Sequence, residues 1–235
     1  MTDGLHADDR PPRFERGAER RGMVRAIRDT YASAMSGTGH ETPDARVMAV
    51  MEAIPRHLFV PPDQRDNAYR NRPLPIGEGQ TISQPFIVAL MTSLARTTPE
   101  SRVLEVGTGS GYQAAVLAAL VRHVYSIEIL APLAEAARRA LDAAGVTNVT
   151  ARVGDGYRGW PEEAPFDAIL VTAAPDHIPP ALVAQLKPGG RLVIPVGSLE
   201  QDLMVIEKAA DGSTTSRTVI PVRFVPLTRE DGDGR

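Results

Sequence analysis

Val103-Leu-Glu-Val-Gly-Thr-Gly-Ser-Gly111 is the stretch that decides the fold. Four residues of strand character run into three glycines at alternate positions, and an Ala-rich helical segment, Tyr112 to Leu120, follows. A strand that breaks on glycines into a helix opens a doubly wound α/β sheet, because glycine permits both the sharp turn and close approach of a ligand to the backbone. The rhythm then repeats. His123 to Ile129 reads as a strand, and Leu130, Leu133, Ala134, Ala137 and Leu141 mark an amphipathic helix ended by Gly145. Val149 to Val153, Phe166 to Thr172 and Arg191 to Val196 are further strands, with a helix from Pro180 to Leu186 stopped by Pro188-Gly-Gly190. Leu203 to Glu207 and Val219 to Val225 flank the Asp211-Gly212 turn and read as an antiparallel hairpin. The expected class is α/β, with a Rossmann-like, mostly parallel, doubly wound sheet ending in that hairpin.

Upstream the pattern is different. Residues 1–22 are rich in Arg, Asp, Glu and Pro and read as a disordered arm. Met23 to Met35 has helical spacing through Val24, Ile27 and Tyr31, and Ser36-Gly-Thr-Gly39 breaks it. Thr42-Pro43 reads as a helix start ahead of Val47, Val50, Met51 and Ile54. Pro55 to Gln84 is Pro- and Gly-rich without a period, and irregular segments of that length are often functional. Pro85 to Arg96 is helical again. The expected organisation is an arm over 1–22, an N-terminal helical and Pro-rich substrate-side segment over 23–97, a cofactor-binding core over 98–228 and a tail over 229–235.

Composition excludes several functions. The formal net charge of −3 leaves no global basic field for nucleic acid. The absence of cysteine removes disulfides, thiolate metal sites and cysteine nucleophiles. The histidines have no metal-ligand spacing, and His57 and His177 read as surface or loop residues. The N-terminus lacks the apolar core of a signal peptide, and no apolar run is long enough to span a bilayer. A cytoplasmic monomer with no metal, no nucleic-acid partner and no membrane association is expected.

The glycine loop implies a nucleoside cofactor once its surroundings are added. Glu128 ends the second strand of the core, where a carboxylate can accept from both ribose hydroxyls. The spacing is Gly-x-Gly-x-Gly, unlike the pattern that seats a pyrophosphate on a helix N-terminus. Glu105, two residues before the first glycine, would repel a pyrophosphate but suits a cofactor carrying an amino group and a sulfonium. Gly154-Asp155-Gly156 follows the third strand, and the short carboxylate could accept from an adenine amino group. The expected cofactor is S-adenosyl-L-methionine, used by a class I methyltransferase fold. Its contacts are assigned to Glu105, Gly107, Thr108, Gly109, Ser110, Gly111, Glu128, Gly154, Asp155 and Gly156.

Several segments resemble the protein-L-isoaspartate O-methyltransferase family. They are Ile54-Pro-Arg-His-Leu-Phe-Val-Pro61, Pro73-Leu-Pro-Ile-Gly77, Gly79-Gln-Thr-Ile-Ser-Gln-Pro85, Leu104 to Tyr112, Leu186 to Pro195 and Arg223-Phe-Val-Pro-Leu227. The resemblance covers Pro43 to Leu227, and Thr81-Ile-Ser-Gln-Pro85 is its most specific part. It implies methyl transfer to the free α-carboxylate of L-isoaspartyl residues in damaged proteins and peptides, which starts repair through a succinimide. It places the family's active-site serine on Ser83, with Thr81, Ile82, Gln84 and Val225 on the acceptor side. A carboxylate is already ionised at neutral pH, so positioning by Ser83 suffices and no general base is needed. A helix N-cap before Pro85 is the competing role for Ser83. A carboxyl methyltransferase acting on one dedicated peptide and a catalytically silent cofactor-binding module remain as alternatives, with a dinucleotide-dependent dehydrogenase behind them.

Overall fold

The computed structural model describes residues 16–35 and 42–229. Two helices come first, α1 (Gly17–Ala34) and α2 (Ala45–Ala53). Two 3-10 turns (Arg56–Phe59 and Pro62–Asn67) lead to a small antiparallel hairpin of β1 (Leu74–Gly77) and β2 (Gln80–Ile82), and then to α3 (Pro85–Leu94). The core follows as β3 (Arg102–Val106), α4 (Tyr112–Ala118), β4 (His123–Glu128), α5 (Ala131–Ala143), β5 (Val149–Val153) and β6 (Phe166–Val171). It closes with α6 (Pro180–Ala184), β7 (Leu186–Val196), β8 (Gln201–Lys208) and β9 (Thr214–Val222). The seven-stranded sheet has the order β5-β4-β3-β6-β7-β8-β9. Its pairs are parallel as far as β7 and antiparallel beyond it.

Alternation along the strands builds a core on both faces of this sheet. Val103, Ala168, Leu170, Val193 and Val205 face one layer, where they meet α1, α2, α3 and α4. Leu104, Val106, Ile169, Val171, Leu192 and Ile194 face the other, where Leu182 of α6 covers them. Each such aliphatic side chain withdrawn from water contributes about 1.5–3 kcal/mol, which is why the strands read as continuous apolar runs. The strand order reverses at β3, with β4 on one side and β6 on the other, so a crevice opens beyond the carboxyl ends of β3 and β6.

The upstream region departs from its sequence reading in instructive ways. The stretch expected as an arm to residue 22 is helical from Gly17, and residues 1–15 lie outside the described set. Arg20 is the reason. It sits one turn before Met23 and Val24 on the stripe that continues through Ile27 and Tyr31, and it is only 3% exposed. Its Nη1 donates to Ala53 O at 2.8 Å, so its stem packs as apolar surface while its head caps the end of α2. Asp44, and not Thr42, caps α2, accepting from Arg46 N at 2.8 Å. His57 is buried, not on the surface, with Nδ1 2.7 Å from the Tyr69 hydroxyl.

Two boundaries in the core move as well. Pro188-Gly-Gly190 was expected to stop a helix at Leu186, yet α6 ends at Ala184 and this tripeptide lies within β7, where the register against β6 shifts. The last strand ends at Val222, three residues short of the expected Val225. The helix-breaking segment over 36–39 lies outside the described residues. Arg229 was expected to fray with the tail. Its guanidinium instead stacks 4.1 Å from the centroid of the Tyr157 ring, and residues 230–235 lie outside the described set.

Candidate active site

The glycine loop after β3 occupies the crevice. Gly107, Gly109 and Gly111 have φ of 95°, 51° and 83°, a region that side chains disfavour. At Gly107 space is also decisive, since a Cβ there would lie 2.6 Å from Thr172 Oγ1. That hydroxyl donates to Gly107 O at 2.6 Å and so ties the loop to the end of β6. Glu128, at the end of β4, accepts from Gly109 N at 2.7 Å and from Leu130 N at 3.0 Å. One carboxylate therefore fixes the loop of one strand to the first turn after the next. Gly154 N donates to Glu128 O at 3.0 Å, which brings the turn after β5 to the same place. Gly156 packs so closely that a Cβ would sit 2.3 Å from Val106 Cγ1.

Gly107, Thr108, Gly109, Ser110, Glu128, Gly154 and Gly156 line the resulting cleft together with Ile82, Ser83 and Val225. Three residues assigned to it by sequence do not. Glu105 is fully buried behind the loop, where Ser126 Oγ donates to its Oε2 at 2.5 Å and Thr108 Oγ1 lies 2.6 Å from Ser126 Oγ. Burial pushes its carboxyl up to about 8, and the neighbouring Glu128 adds to the rise while Ser126 opposes it. Only Thr108, at the far end of this hydroxyl chain, reaches the cleft. Asp155 points into its own turn and accepts from Tyr157 N at 2.9 Å. Gly111 faces away from the cleft and packs on Ala137 and Leu141 of α5, which explains its need for glycine without any ligand. Motif adjacency in the chain placed all three; the turn geometry redirects them.

A second, wider cavity abuts the first. One wall carries Thr81, Ser83, Gln84, Phe86 and Ile87; the other is the segment from Ile220 to Val225. Thr81, Ser83, Thr172 and Val225 line both cavities and form the passage between them. Ile82 belongs to the cleft and Gln84 to the wider groove. The α3 N-cap is Gln84 without a side-chain bond, so Ser83 is not the helix cap. Its hydroxyl has no hydrogen-bond partner among the described residues.

The Ser83 wall is held by groups that sequence reasoning did not single out. Arg56 is fully buried; its Nη2 donates to Ser83 O at 2.7 Å and its Nε to Ala68 O at 2.9 Å. Its guanidinium also lies 4.6 Å from the centroid of the Tyr112 ring, the residue that begins α4 after the glycine loop. Burial pulls its pKa down to about 10, which leaves it charged at neutral pH. Asn71 Oδ1 accepts from Phe86 N at 2.9 Å, and Asn71 O accepts from Gln84 Nε2 at 3.0 Å. Thr172 was also missed, because nothing in its local sequence announces that the end of β6 meets the loop after β3. Arg56 lies within a segment that carried the family resemblance, but only the fold shows what it holds.

A doubly wound sheet with a glycine loop and a strand-end carboxylate at its switch point binds nucleoside cofactors, and with the antiparallel strands that close this sheet it is the class I S-adenosylmethionine-dependent methyltransferase fold. Within that class, the family model for protein-L-isoaspartate(D-aspartate) O-methyltransferase matches residues 38–232, and the chain belongs to this family. It is 60% identical over 208 residues to protein-L-isoaspartate O-methyltransferase 2 of Polaromonas sp., covering 88% of this chain and 99% of that one. A solved protein-L-isoaspartate O-methyltransferase superposes with a TM-score of 0.76 at 28% identity, over 89% of this chain and 66% of the other. A Plasmodium falciparum chain crystallised with S-adenosyl-L-homocysteine shares the fold, with a TM-score of 0.73 at 23% identity over 91% of this chain and 98% of its own. Among the described residues no cluster of His, Asp and Glu could hold a metal, and no helix is long and apolar enough to cross a membrane.

Proposed function

We propose that the chain transfers the methyl group of S-adenosylmethionine to the free α-carboxylate of L-isoaspartyl residues in peptides and proteins, with Ser83 positioning that carboxylate. The observation that carries this reading is the passage formed by Thr81, Ser83, Thr172 and Val225, which joins the cleft at the glycine loop to a wider groove. Family membership supports the same reaction.

The residues of the cleft fit the cofactor. Each oxygen of Glu128 accepts one backbone N–H, so each keeps a lone pair for a ribose hydroxyl. The absent side chains of Gly107 and Gly156 let two loops close on the cleft. When bound, the cofactor supplies an electrophilic methyl group on a sulfonium.

The protein then has to align and desolvate. The acceptor carboxylate has an ordinary pKa near ~4 and arrives ionised, so no residue must remove a proton. A neutral hydroxyl such as Ser83 can hold one carboxylate oxygen without quenching the other as a nucleophile. An ion-paired Arg or Lys at that position would bind the ground state more strongly than the reacting one. Holding the carboxylate in line at the passage supplies the main catalytic effect, since proximity and orientation can account for roughly 7–11 kcal/mol. Arg56 keeps Ser83 in place from behind, and Thr172 keeps the glycine loop in place from beside it.

The reading is tested by methyl transfer to paired peptides that differ only in an isoaspartyl or aspartyl linkage. Transfer to the isoaspartyl peptide alone is expected; equal transfer to both, or to neither, refutes it. The reading also takes the chain to work as a monomer in the cytoplasm, which sedimentation of the active enzyme and fractionation of cells would check.

A further inference from the structure

The groove wall opposite Ser83 is built in an unusual way. The β8·β9 ladder ends at the pair Gln201↔Val222, and Gln201 is the first residue of β8. Among the described residues, β8 therefore offers no strand partner to the chain beyond Val222. The Gln201 side chain takes over. Its Oε1 accepts from Phe224 N at 2.6 Å, and its Nε2 donates to Phe224 O at 3.1 Å. The same Nε2 lies 3.5 Å from Ser198 O.

A carboxamide carries one acceptor and one donor in the arrangement of a peptide group, so it can replace a strand neighbour for one residue. One residue further on, Val225 O accepts from Ala174 N at 2.8 Å, and two residues beyond that Leu227 N donates to Ala174 O at 2.9 Å. The segment is thus pinned first to Gln201 and then to Ala174. Phe224 packs partly against the core and, with Arg223 and Val225, lines the groove.

We infer that Gln201 is a positioning residue for the acceptor: its two-point hold on Phe224 fixes the groove wall that the isoaspartyl peptide lies against. The inference rests on the proposed acceptor. The Gln201 side chain itself lines neither the cofactor cleft nor the acceptor groove. Gln201 works through the placement of Arg223 and Val225, so its loss should weaken peptide capture and spare the cofactor cleft. Asn is too short to span both bonds, and Glu keeps the acceptor while losing the donor.

The experiment is steady-state kinetics on an isoaspartyl hexapeptide for wild type, Gln201→Ala and Gln201→Glu, with cofactor affinity by calorimetry and thermal midpoints. In Gln201→Ala, KM for the peptide should rise about five-fold, with cofactor Kd nearly unchanged and the midpoint lowered only by the one to two neutral hydrogen bonds lost. Gln201→Glu should do no better than Gln201→Ala, because its carboxylate keeps the bond from Phe224 N but sets an acceptor oxygen against Phe224 O in place of the donor. An unchanged peptide KM overturns the inference, as does a parallel loss of cofactor affinity, kcat and thermal midpoint, which would mark a structural role only. A wild type inactive on the hexapeptide overturns the underlying reading and the inference with it; a normal wild type with an indifferent variant overturns the inference alone.

Discussion

The two halves of the site are held by different kinds of bond. The cofactor half is made of turns at the carboxyl ends of adjacent strands, and short groups at those strand ends tie it together, the Glu128 carboxylate on Gly109 N and Leu130 N and the Thr172 hydroxyl on Gly107 O. The acceptor half brings Ser83 and Val225 together from opposite ends of the chain, and it relies on long side chains that reach to distant carbonyls. The first half is a product of the sheet; the second is a set of clamps laid over it. Damage to one clamp should therefore disturb the acceptor and leave the cofactor in place, whereas damage to a loop glycine should do the reverse.

The severest test of this contrast is Arg56→Met. It leaves Ser83 O and Ala68 O buried without a donor, and stability should fall by about 2–4 kcal/mol in chemical denaturation. If the halves are independent, the surviving folded enzyme should lose peptide turnover while calorimetric cofactor affinity stays within a few-fold. An equal loss of both would show that the stacking of Arg56 on Tyr112 couples them.

Gly156→Ala probes the other half. Its new Cβ would overlap Val106, and overpacking of this kind costs typically ~1–3 kcal/mol. Cofactor affinity should drop about ten-fold, with the peptide KM measured at saturating cofactor unchanged. A normal cofactor affinity would mean that the turn after β5 shifts freely, contrary to its bond from Gly154 N to Glu128 O.

Ser83→Ala should lower kcat/KM for an isoaspartyl peptide about ten-fold, the worth of one hydrogen bond to a charged group. Cofactor affinity and thermal stability should be unaffected, since its hydroxyl neither caps α3 nor bonds elsewhere among the described residues. Unaltered turnover would remove Ser83 from the mechanism.

The last test bears on neither half alone and reads the pH dependence of stability. Glu105 has a folded-state pKa raised from 4.5 to about 8, chiefly by burial, so the folded protein binds its proton more tightly than the unfolded chain does. Its stabilising contribution is then fully present below about 4.5 and declines as pH rises towards about 8. Glu105→Gln keeps an acceptor for Ser126 and cannot ionise, so its stability relative to wild type should improve between pH 5 and pH 8. A constant difference across that range would show that Glu105 ionises in the folded state as freely as in the unfolded one.

Much of the cofactor half was legible because its determinants are short-range. Gly107 and Gly109 follow their own strand directly, and Glu128 ends the next one. The same closeness misled at Glu105, Asp155 and Gly111, where adjacency to the loop says nothing about the direction in which a side chain leaves it. In the acceptor half, Ser83 was legible only through resemblance of its segment to a family. The residues that hold it, Arg56 and Asn71, and the clamp at Gln201 carry no local signature. Arg20 belongs with them: a charged residue on an apolar stripe reads as solvated until the partner carbonyl of Ala53 is in view.

The strand-glycine-helix unit from Val103 to Gly111 determined the kind of sheet and the place of the crevice, and with Glu128 it pointed to a nucleoside cofactor, because strand periodicity and left-handed glycine geometry are properties of neighbouring residues. Tertiary structure alone decided which carboxylates face the cleft, that Thr172 closes the loop, and that Gln201 stands in for a missing strand. Those outcomes depend on burial and on hydrogen bonds between residues far apart in the chain, and both exist only once the chain has packed.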